Sequence, residues 1–246
     1  MDTVYIMKTL IHRLLHFFLP LKCRICGDKD RMSSLAGICR GCSRGKFAFR
    51  KRKGLCSTCS GILTDAKCEF CTGRNVFFEK LEYIAEKGEF ESDLIRRLKF
   101  HSSPEIGNLF LFRLGGISGR LKTVSDEWNI CYVPSSAKTR RERPYFSFSS
   151  VMNFIRKKTG AKTVPALEKK SKELQSGKRF RDRFIHARFS MQIRSRFRNS
   201  LSGNFLLIDD VFTTGATLNE AARILMENGA EKIYCIVMLK SFIEEN

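Results

Sequence analysis

The sequence predicts an α/β fold in which a parallel sheet flanked by helices follows a small, cysteine-rich amino-terminal module. Two patterns carry this prediction. Eight of the ten cysteines form four Cys-x-x-Cys pairs in the first third of the chain, and a continuous apolar run near the carboxyl end is followed by a polar turn, an amphipathic helix and a second apolar run. A chain of 246 residues, 43% of them hydrophobic, is long enough for one α/β core and a smaller module.

Three regions are expected along the chain: an amphipathic helix at 1–20, the cysteine-rich module at 21–74 and the α/β domain at 75–246. Hydrophobic periodicity at the start of the last region predicts four elements. They are a strand at 77–86, helices at 92–101 and 105–121, and a strand at 129–133.

The helix at 1–20 has an apolar face that charged and histidine side chains interrupt, so no transmembrane span is expected there. Such a helix either packs on its own protein or lies on a membrane surface or a partner, since its cations also suit anionic lipid. The interrupting residues are Lys8, His12, Arg13 and His16.

The four cysteine pairs have the spacing of metal ligands. Two residues between cysteines let one turn offer both thiolates to one ion, and two such knuckles complete the four-sulfur shell of a zinc ribbon. Sequential pairing predicts two structural zinc sites in tandem, while interleaved pairing and redox-active pairs are the alternatives. The predicted ligands are Cys23, Cys26, Cys39, Cys42, Cys56, Cys59, Cys68 and Cys71.

The use of cysteine also indicates a compartment. Because the thiols occur as knuckles and no small-residue cleavage site follows the first helix, a reducing cytosol is expected. The remaining thiols, Cys131 and Cys235, lie in apolar strand-like runs and are expected to be buried hydrophobic residues.

A strand-loop-helix-strand unit occupies residues 203–240. The apolar run at 205–208 is typical of a strand buried on both faces of a parallel sheet. Apolar residues then recur at helical spacing from Leu218 to Met226, and 232–239 has the character of the next strand. The polar loop therefore lies at the carboxyl end of a strand, where open α/β sheets bind ligands.

This loop has the chemistry of a phosphate site. Threonine hydroxyls, a glycine that admits close approach and the N–H groups of a helix start together suit a phosphate monoester. Two preceding carboxylates repel phosphate, but they can accept hydrogen bonds from vicinal ribose hydroxyls, directly or through a metal ion. The candidate residues are Asp209, Asp210, Thr213, Thr214, Gly215, Ala216 and Thr217.

The string Leu206-Leu-Ile-Asp-Asp-Val-Phe-Thr-Thr-Gly-Ala-Thr217 resembles the signature of type I phosphoribosyltransferases, which bind 5-phosphoribosyl-1-pyrophosphate with Mg²⁺. Combined with four cysteine knuckles, it is similar to the ComF family of competence proteins, which join a double zinc ribbon to a phosphoribosyltransferase-like domain. The resemblance covers most of the chain. It implies structural zinc, and magnesium bound together with phosphoribosyl pyrophosphate or a related ribose phosphate.

Further segments resemble the same family. Residues 94–100 are similar to its Leu-Lys-Tyr/Phe segment, Gln175 and Arg183 to its mobile basic segment, and Val133-Pro134 with the arginines that follow to its pyrophosphate loop. The chain departs from the family at 144–147, where Pro-Tyr-Phe-Ser replaces Gly-Phe-Asn-Gln, and at His186. Binding is therefore better supported than catalysis, and no catalytic residue is assigned. The pyrophosphate-side candidates are Arg140, Arg141 and Arg143.

The middle of the chain is strongly basic. Residues 138–198 hold nineteen Lys or Arg against four Asp or Glu, in a chain of net charge +20. Basic groups interleaved with phenylalanine suit single-stranded nucleic acid. The alternative is a basic active-site segment whose Phe180, Phe184, Phe189 and Phe197 are core residues. The nucleic-acid candidates are Lys178, Arg179, Arg181, Arg183, Arg188, Arg194, Arg196 and Arg198.

Three functions follow as hypotheses. The family resemblance implies a cytoplasmic protein that handles single-stranded DNA during DNA uptake, beneath a membrane-associated translocation machinery reached through partners. The second hypothesis is an active phosphoribosyltransferase that transfers ribose 5-phosphate to a nitrogenous acceptor. The third is a regulator in which the phosphoribosyl ligand changes nucleic-acid affinity.

Overall fold

The computed structural model describes residues 22, 23, 27, 28, 39, 54–100, 110, 111, 114, 115, 124–134, 149–170 and 187–242, with the backbone alone at 97–100, 149 and 150. Within this part of the chain, the protein is built on a five-stranded sheet in which all neighbouring strands run parallel. The predicted α/β fold class is confirmed.

The described elements are bounded as follows. In chain order the strands are β1 (Leu63–Thr64), β2 (Lys67–Cys68), β3 (Lys80–Glu86), β4 (Asn129–Tyr132), β5 (Lys162–Thr163), β6 (Leu167–Lys169), β7 (Met191–Ile193), β8 (Asn204–Phe212) and β9 (Lys232–Lys240). The helices are α1 (Glu69–Thr72), α2 (Glu89–Phe100), α3 (Ser149–Thr159) and α4 (Ala216–Glu227). The central sheet has the order β3-β9-β8-β4-β5, and β1-β2 and β6-β7 are separate antiparallel pairs.

Strand β8 lies in the middle of the sheet and is buried on both faces. Phe205 and Leu207 belong to one hydrophobic cluster, whereas Leu206 and Ile208 belong to the other. The alternation of side chains along a strand therefore divides an unbroken apolar run between two cores. Leu207 is paired with Cys131 on β4 and with Cys235 on β9, so both thiols are buried, as predicted.

The predicted elements correspond to observed ones with shifts of a few residues. The strand predicted at 77–86 is β3, the helix at 92–101 is α2, and the strand at 129–133 is β4. Helix α2 begins earlier than predicted because the Glu91 carboxylate accepts a hydrogen bond from the Gly88 N–H, 3.2 Å away, and so stabilises an extra turn. Residues 110, 111, 114 and 115 are helical, whereas the rest of the helix predicted at 105–121 lies outside the described residues.

The end of α4 shows why glycine is needed at position 229. Gly229 has φ +109°, and a Cβ at this position would lie 2.2 Å from the Leu201 carbonyl oxygen. A side chain would thus collide with the segment that leads into β8. The close approach fixes the direction in which the chain leaves α4 and enters β9.

The predicted amphipathic helix at 1–20 lies outside the described residues. Within the part of the chain that the structure describes, no helix has both the length and the apolar character needed to cross a bilayer.

Candidate metal centre and ligand-binding loop

Four cysteines come together beside the central sheet. The Sγ atoms of Cys56, Cys59, Cys68 and Cys71 all lie within 4.8 Å of one another. The Sγ atoms of Cys59 and Cys68 are 3.3 Å apart, and those of Cys56 and Cys71 are 3.7 Å apart. Sulfur atoms at about 2.3 Å from a tetrahedral zinc ion are about 3.8 Å apart, so these four cysteines could hold a metal ion with little rearrangement. The cluster joins the third knuckle to the fourth.

Local backbone structure gathers these thiols. The third knuckle is closed by hydrogen bonds from the Cys56 N–H to the Gly61 carbonyl and from the Ser60 N–H to the Cys56 carbonyl. In the fourth knuckle, Cys68 precedes α1 and Cys71 lies one helical turn later. A Cβ at Gly61 would lie 3.1 Å from the Cys59 Sγ atom and 3.3 Å from the Cys68 Sγ atom, so a small residue is needed there.

Three of these thiols differ in how readily they ionise. Burial raises the pKa of Cys59 to about 12 and also raises the pKa of Cys71. Burial acts in the same direction on Cys56, but hydrogen bonds from the backbone of Cys59 and Thr58 outweigh it and lower the pKa of this thiol to about 7. Several thiolates at such short separations require a cation among them. Four sulfur donors of this kind suit zinc.

A lysine is buried near this cluster. Lys240 ends β9 with only 3% of its surface exposed, and its Nζ atom lies 4.1 Å from the Phe212 ring centroid and 5.2 Å from that of Phe242. Burial lowers the pKa of Lys240, while negative charge on the four cysteines acts in the opposite direction. The lysine therefore brings positive charge close to the candidate metal centre.

Only part of the first predicted zinc site lies within the described residues. Cys23 and Cys39 are both buried, and the Cys39 N–H donates a hydrogen bond to the Cys23 Sγ atom at 3.3 Å. Gly27, with φ +77°, closes a turn through a bond from its N–H to the Cys23 carbonyl. The structure thus brings one cysteine of each of the first two knuckles together, whereas Cys26 and Cys42 lie outside the described residues.

The two candidate carboxylates lie within β8, before the loop begins. Asp209 has 8% of its surface exposed, and its Oδ1 atom accepts a hydrogen bond from the Asp210 N–H at 2.8 Å. Asp210 is less buried. Because successive side chains in a strand point to opposite faces, the two carboxylates have different surroundings and do not lie side by side. Asp210 is the more accessible of the two.

The turn after β8 has the geometry of an anion site. Gly215 has φ +72° and immediately precedes α4, whose first turn carries no acidic side chain. The buried Thr214 accepts a bond from the Ala216 N–H at its Oγ1 atom, while the half-buried Thr213 and Thr217 lie on either side. A left-handed glycine followed by a helix start turns consecutive N–H groups in one direction, which attracts an anion.

The neighbouring strand β4 ends at Tyr132, opposite Ile208 and just before the two carboxylates of β8. Strand β4 is parallel to β8, and the Val133 N–H donates to the Ile208 carbonyl at 2.9 Å. The chain therefore leaves both strands at the same side of the sheet, where the carboxyl ends of the parallel strands lie. The segment after Pro134 contains the pyrophosphate-side candidates, which lie outside the described residues: Arg140, Arg141 and Arg143.

Four of the eight nucleic-acid candidates are described. Arg188, Arg196 and Arg198 are exposed, whereas Arg194 is half-buried and donates from Nε to the Leu167 carbonyl at 3.2 Å. Part of the Arg194 guanidinium thus belongs to the fold, as an anchor between β6 and the segment after β7. The other four candidates lie outside the described residues: Lys178, Arg179, Arg181 and Arg183.

The sequence left open whether the aromatic residues near these arginines stack on bases or pack in the core. The two described ones differ in this respect. Phe189 is 50% exposed beside Arg188, while Phe197 is partly buried against the core and lies under the Arg196 guanidinium at 4.6 Å. One ring is thus accessible to a base and the other is used mainly in packing. Phe180 and Phe184 lie outside the described residues.

Three residues near the loop and the cysteine cluster were not singled out in the sequence. They are Phe70, Asn219 and Lys240, and each is buried or partly buried by residues distant in the chain. Asn219 does give a signal, since it is a polar residue next to the apolar helical stripe that starts at Leu218. Lys240 is the last residue of an apolar strand and has no distinguishing pattern.

Comparison with known proteins finds relatives that are named for DNA utilization. No established family profile matches it. The chain is similar to the DNA utilization protein YhgH of Escherichia coli O6:H1, of Escherichia coli K12 and of Shigella flexneri. In each case 26% of residues are identical over 212 aligned positions, which cover 81% of this chain and 89% of the relative. The likeness therefore extends over most of both chains.

Proposed function

We propose that this chain is a ComF-like protein that acts in DNA uptake by handling single-stranded DNA and that binds phosphoribosyl pyrophosphate at the end of β8. The observation that carries the DNA role is the similarity to proteins named for DNA utilization over most of the chain. The ligand site rests on the loop geometry and on the resemblance of residues 206–217 to the phosphoribosyltransferase signature.

The described geometry supports distinct roles for the loop residues. The N–H groups of Gly215 and Thr217 receive the 5′-phosphate, assisted by the hydroxyl of Thr213 or Thr217, while the Ala216 N–H donates to Thr214. Asp210, the more accessible carboxylate, accepts bonds from ribose hydroxyls or holds the Mg²⁺ that accompanies pyrophosphate. The buried Asp209 fixes the backbone N–H of Asp210 and thereby its position.

A thermal shift experiment tests the ligand. Phosphoribosyl pyrophosphate with Mg²⁺ should raise the melting temperature, since a ligand present at a hundred times its Kd stabilises the native state by about 2.7 kcal/mol. Asp210→Asn should remove most of that shift, whereas Asp126→Asn, which changes an exposed acid that precedes β4, should leave it unchanged. Absence of a shift in the unaltered protein would contradict the proposed ligand.

The DNA role is supported by the exposed arginines around β7. Arg188, Arg196 and Arg198 can neutralise phosphates, and the exposed Phe189 offers a ring on which an unpaired base can stack. Binding should weaken steeply as salt rises, because each neutralised phosphate releases counterions.

A paired substitution tests this surface. Arg196→Ala with Arg198→Ala should weaken binding of a fluorescent single-stranded oligonucleotide and reduce the slope of log affinity against log salt by roughly 1.4. The control, Lys157→Ala with Lys158→Ala, removes the same charge from the exposed end of α3. Equal losses in both double variants would indicate that net charge alone governs binding and would contradict a site near β7.

We further propose that Cys56, Cys59, Cys68 and Cys71 bind a structural zinc ion. Four thiolates around Zn²⁺ leave a net charge of about −2, so a buried ammonium nearby stabilises the loaded centre. Stabilising the zinc centre is therefore the role that we assign to the buried ammonium of Lys240.

Lys240→Met should therefore lower zinc affinity. A change next to a ligand shell typically costs about tenfold or more, and chelator competition would measure it. Lys232→Met is the matched control, because it changes an exposed lysine at the other end of the same strand. Unchanged affinity in Lys240→Met would show that the ammonium does not act on the centre.

A further inference from the structure

The cysteine cluster and the ligand loop are in direct contact through one aromatic side chain. Phe70 is one of the two residues between Cys68 and Cys71, and it lies within α1. Its ring centroid is 5.4 Å from that of Phe212 in an edge-to-face arrangement and 6.2 Å from that of Phe78 in a stacked one. The Phe70 ring is thus held in a defined position by rings from the α/β domain.

The same ring covers Gly215. A Cβ built at Gly215 would lie 2.4 Å from the Phe70 Cε2 atom, 2.8 Å from its Cζ atom and 2.6 Å from the Phe212 Cζ atom. The left-handed backbone at φ +72° is therefore enclosed by two aromatic rings, one from the cysteine module and one from β8. Any displacement of α1 moves the ring that confines this part of the loop.

A second tie joins the same two regions. The Asn219 side chain donates from Nδ2 to the Asn75 carbonyl at 2.9 Å and accepts at Oδ1 from the Phe77 N–H at 3.0 Å. Asn219 is buried in the first turn of α4, and 75–77 follows α1 in the chain. The start of the helix whose N–H groups receive the anion is thereby fixed to the chain that leaves the cysteine module.

We propose that Phe70 is a positioning residue that couples the metal centre to the phosphoribosyl loop. A metal at the four cysteines fixes α1, α1 fixes the Phe70 ring against Gly215, and the loop then keeps its N–H groups aligned for the 5′-phosphate. The proposal rests on the proposed function at both sites. Coupling between two binding sites is reciprocal. The sugar phosphate must therefore strengthen metal binding by the same factor by which the metal strengthens binding of the sugar phosphate.

Calorimetry on two variants of α1 tests the coupling. Phe70→Ala should retain zinc and secondary structure but bind phosphoribosyl pyrophosphate with Mg²⁺ about tenfold more weakly, a factor that corresponds to about 1.4 kcal/mol. Phe70→Leu, which keeps part of the contact, should fall between this variant and the unaltered protein. Glu69→Ala, an exposed neighbour within the same knuckle, should bind with unchanged affinity.

A second measurement uses the unaltered protein, so its result does not depend on whether a variant folds. Phosphoribosyl pyrophosphate should slow the transfer of zinc to a chelator, and inorganic phosphate at low concentration should not. Two results would overturn the coupling but leave the proposed ligand standing, provided that the unaltered protein binds the sugar phosphate. One is equally tight binding by Phe70→Ala, and the other is a rate of zinc transfer to the chelator that the sugar phosphate does not change. Failure of the unaltered protein to bind the sugar phosphate would overturn both.

Discussion

Replacing Cys59 with serine is expected to release about one equivalent of zinc per chain and to lower the free energy of unfolding by about 4 kcal/mol or more. Cys59 is fully buried, and its Sγ atom lies in the cluster that contacts the core beneath β3. Without the ion, three crowded thiols remain beside a buried lysine, and α1 loses the bond between Cys71 and the metal. Metal analysis and urea unfolding would measure the two effects.

The control for this substitution is Cys131→Ala. Cys131 is equally buried but lies in β4, away from the cluster, so its replacement should cost stability through lost packing and leave the zinc content unchanged. Zinc retained at the unaltered level in Cys59→Ser would refute the four-cysteine centre. Acidification should also release the metal, since the ligands are thiolates and protons compete with the ion for them as pH falls.

Gly215→Ala is expected to weaken phosphoribosyl pyrophosphate binding by more than about tenfold and to destabilise the fold by roughly 2–4 kcal/mol. Two costs add. A left-handed backbone is unfavourable for alanine, and the new methyl group would overlap the Phe70 and Phe212 rings. Calorimetry and urea unfolding would report the losses of binding and of stability.

Gly54→Ala separates the two costs. Gly54 has φ +69°, close to the +72° of Gly215, but nothing lies within 4 Å of a Cβ built there. It should therefore show the backbone cost alone, and the excess in Gly215→Ala measures the overlap with the rings. Adding Phe70→Ala to Gly215→Ala should recover part of the stability, and an absence of recovery would argue against the overlap.

The fold could be predicted largely because its central elements are encoded locally. The unbroken apolar run at 205–208 determines a strand buried on both sides, and the helical stripe from Leu218 determines the face of α4. The glycine at 229 ends this helix with a close approach to Leu201. The spacing of the cysteines likewise predicted the cluster of four thiols. Each Cys-x-x-Cys knuckle is a local turn of four consecutive residues, so it can be recognised in the sequence.

Features that depend on distant contacts could not be predicted. Nothing near Lys240 in the sequence shows that the Phe212 ring lies over its ammonium or that the charge of four cysteines acts on it. The side-chain bonds of Asn219 reach residues more than 100 positions away. Sequence spacing also suggested that Asp209 and Asp210 act alike, although the strand places them on opposite faces. The difference arises from where β8 ends, which is the least certain part of a local prediction.

The strand order determines when the protein can complete its assembly. Strand β3 has β9 as its sheet neighbour, and β9 is made after β4, β5 and β8. On a growing chain the cysteines at 56–71 can collect their metal early, since short loops close fast. The surface on which that cluster rests forms much later, when β9 enters between β3 and β8. Nascent chains stalled before β9 should therefore hold zinc in a module that is still undocked.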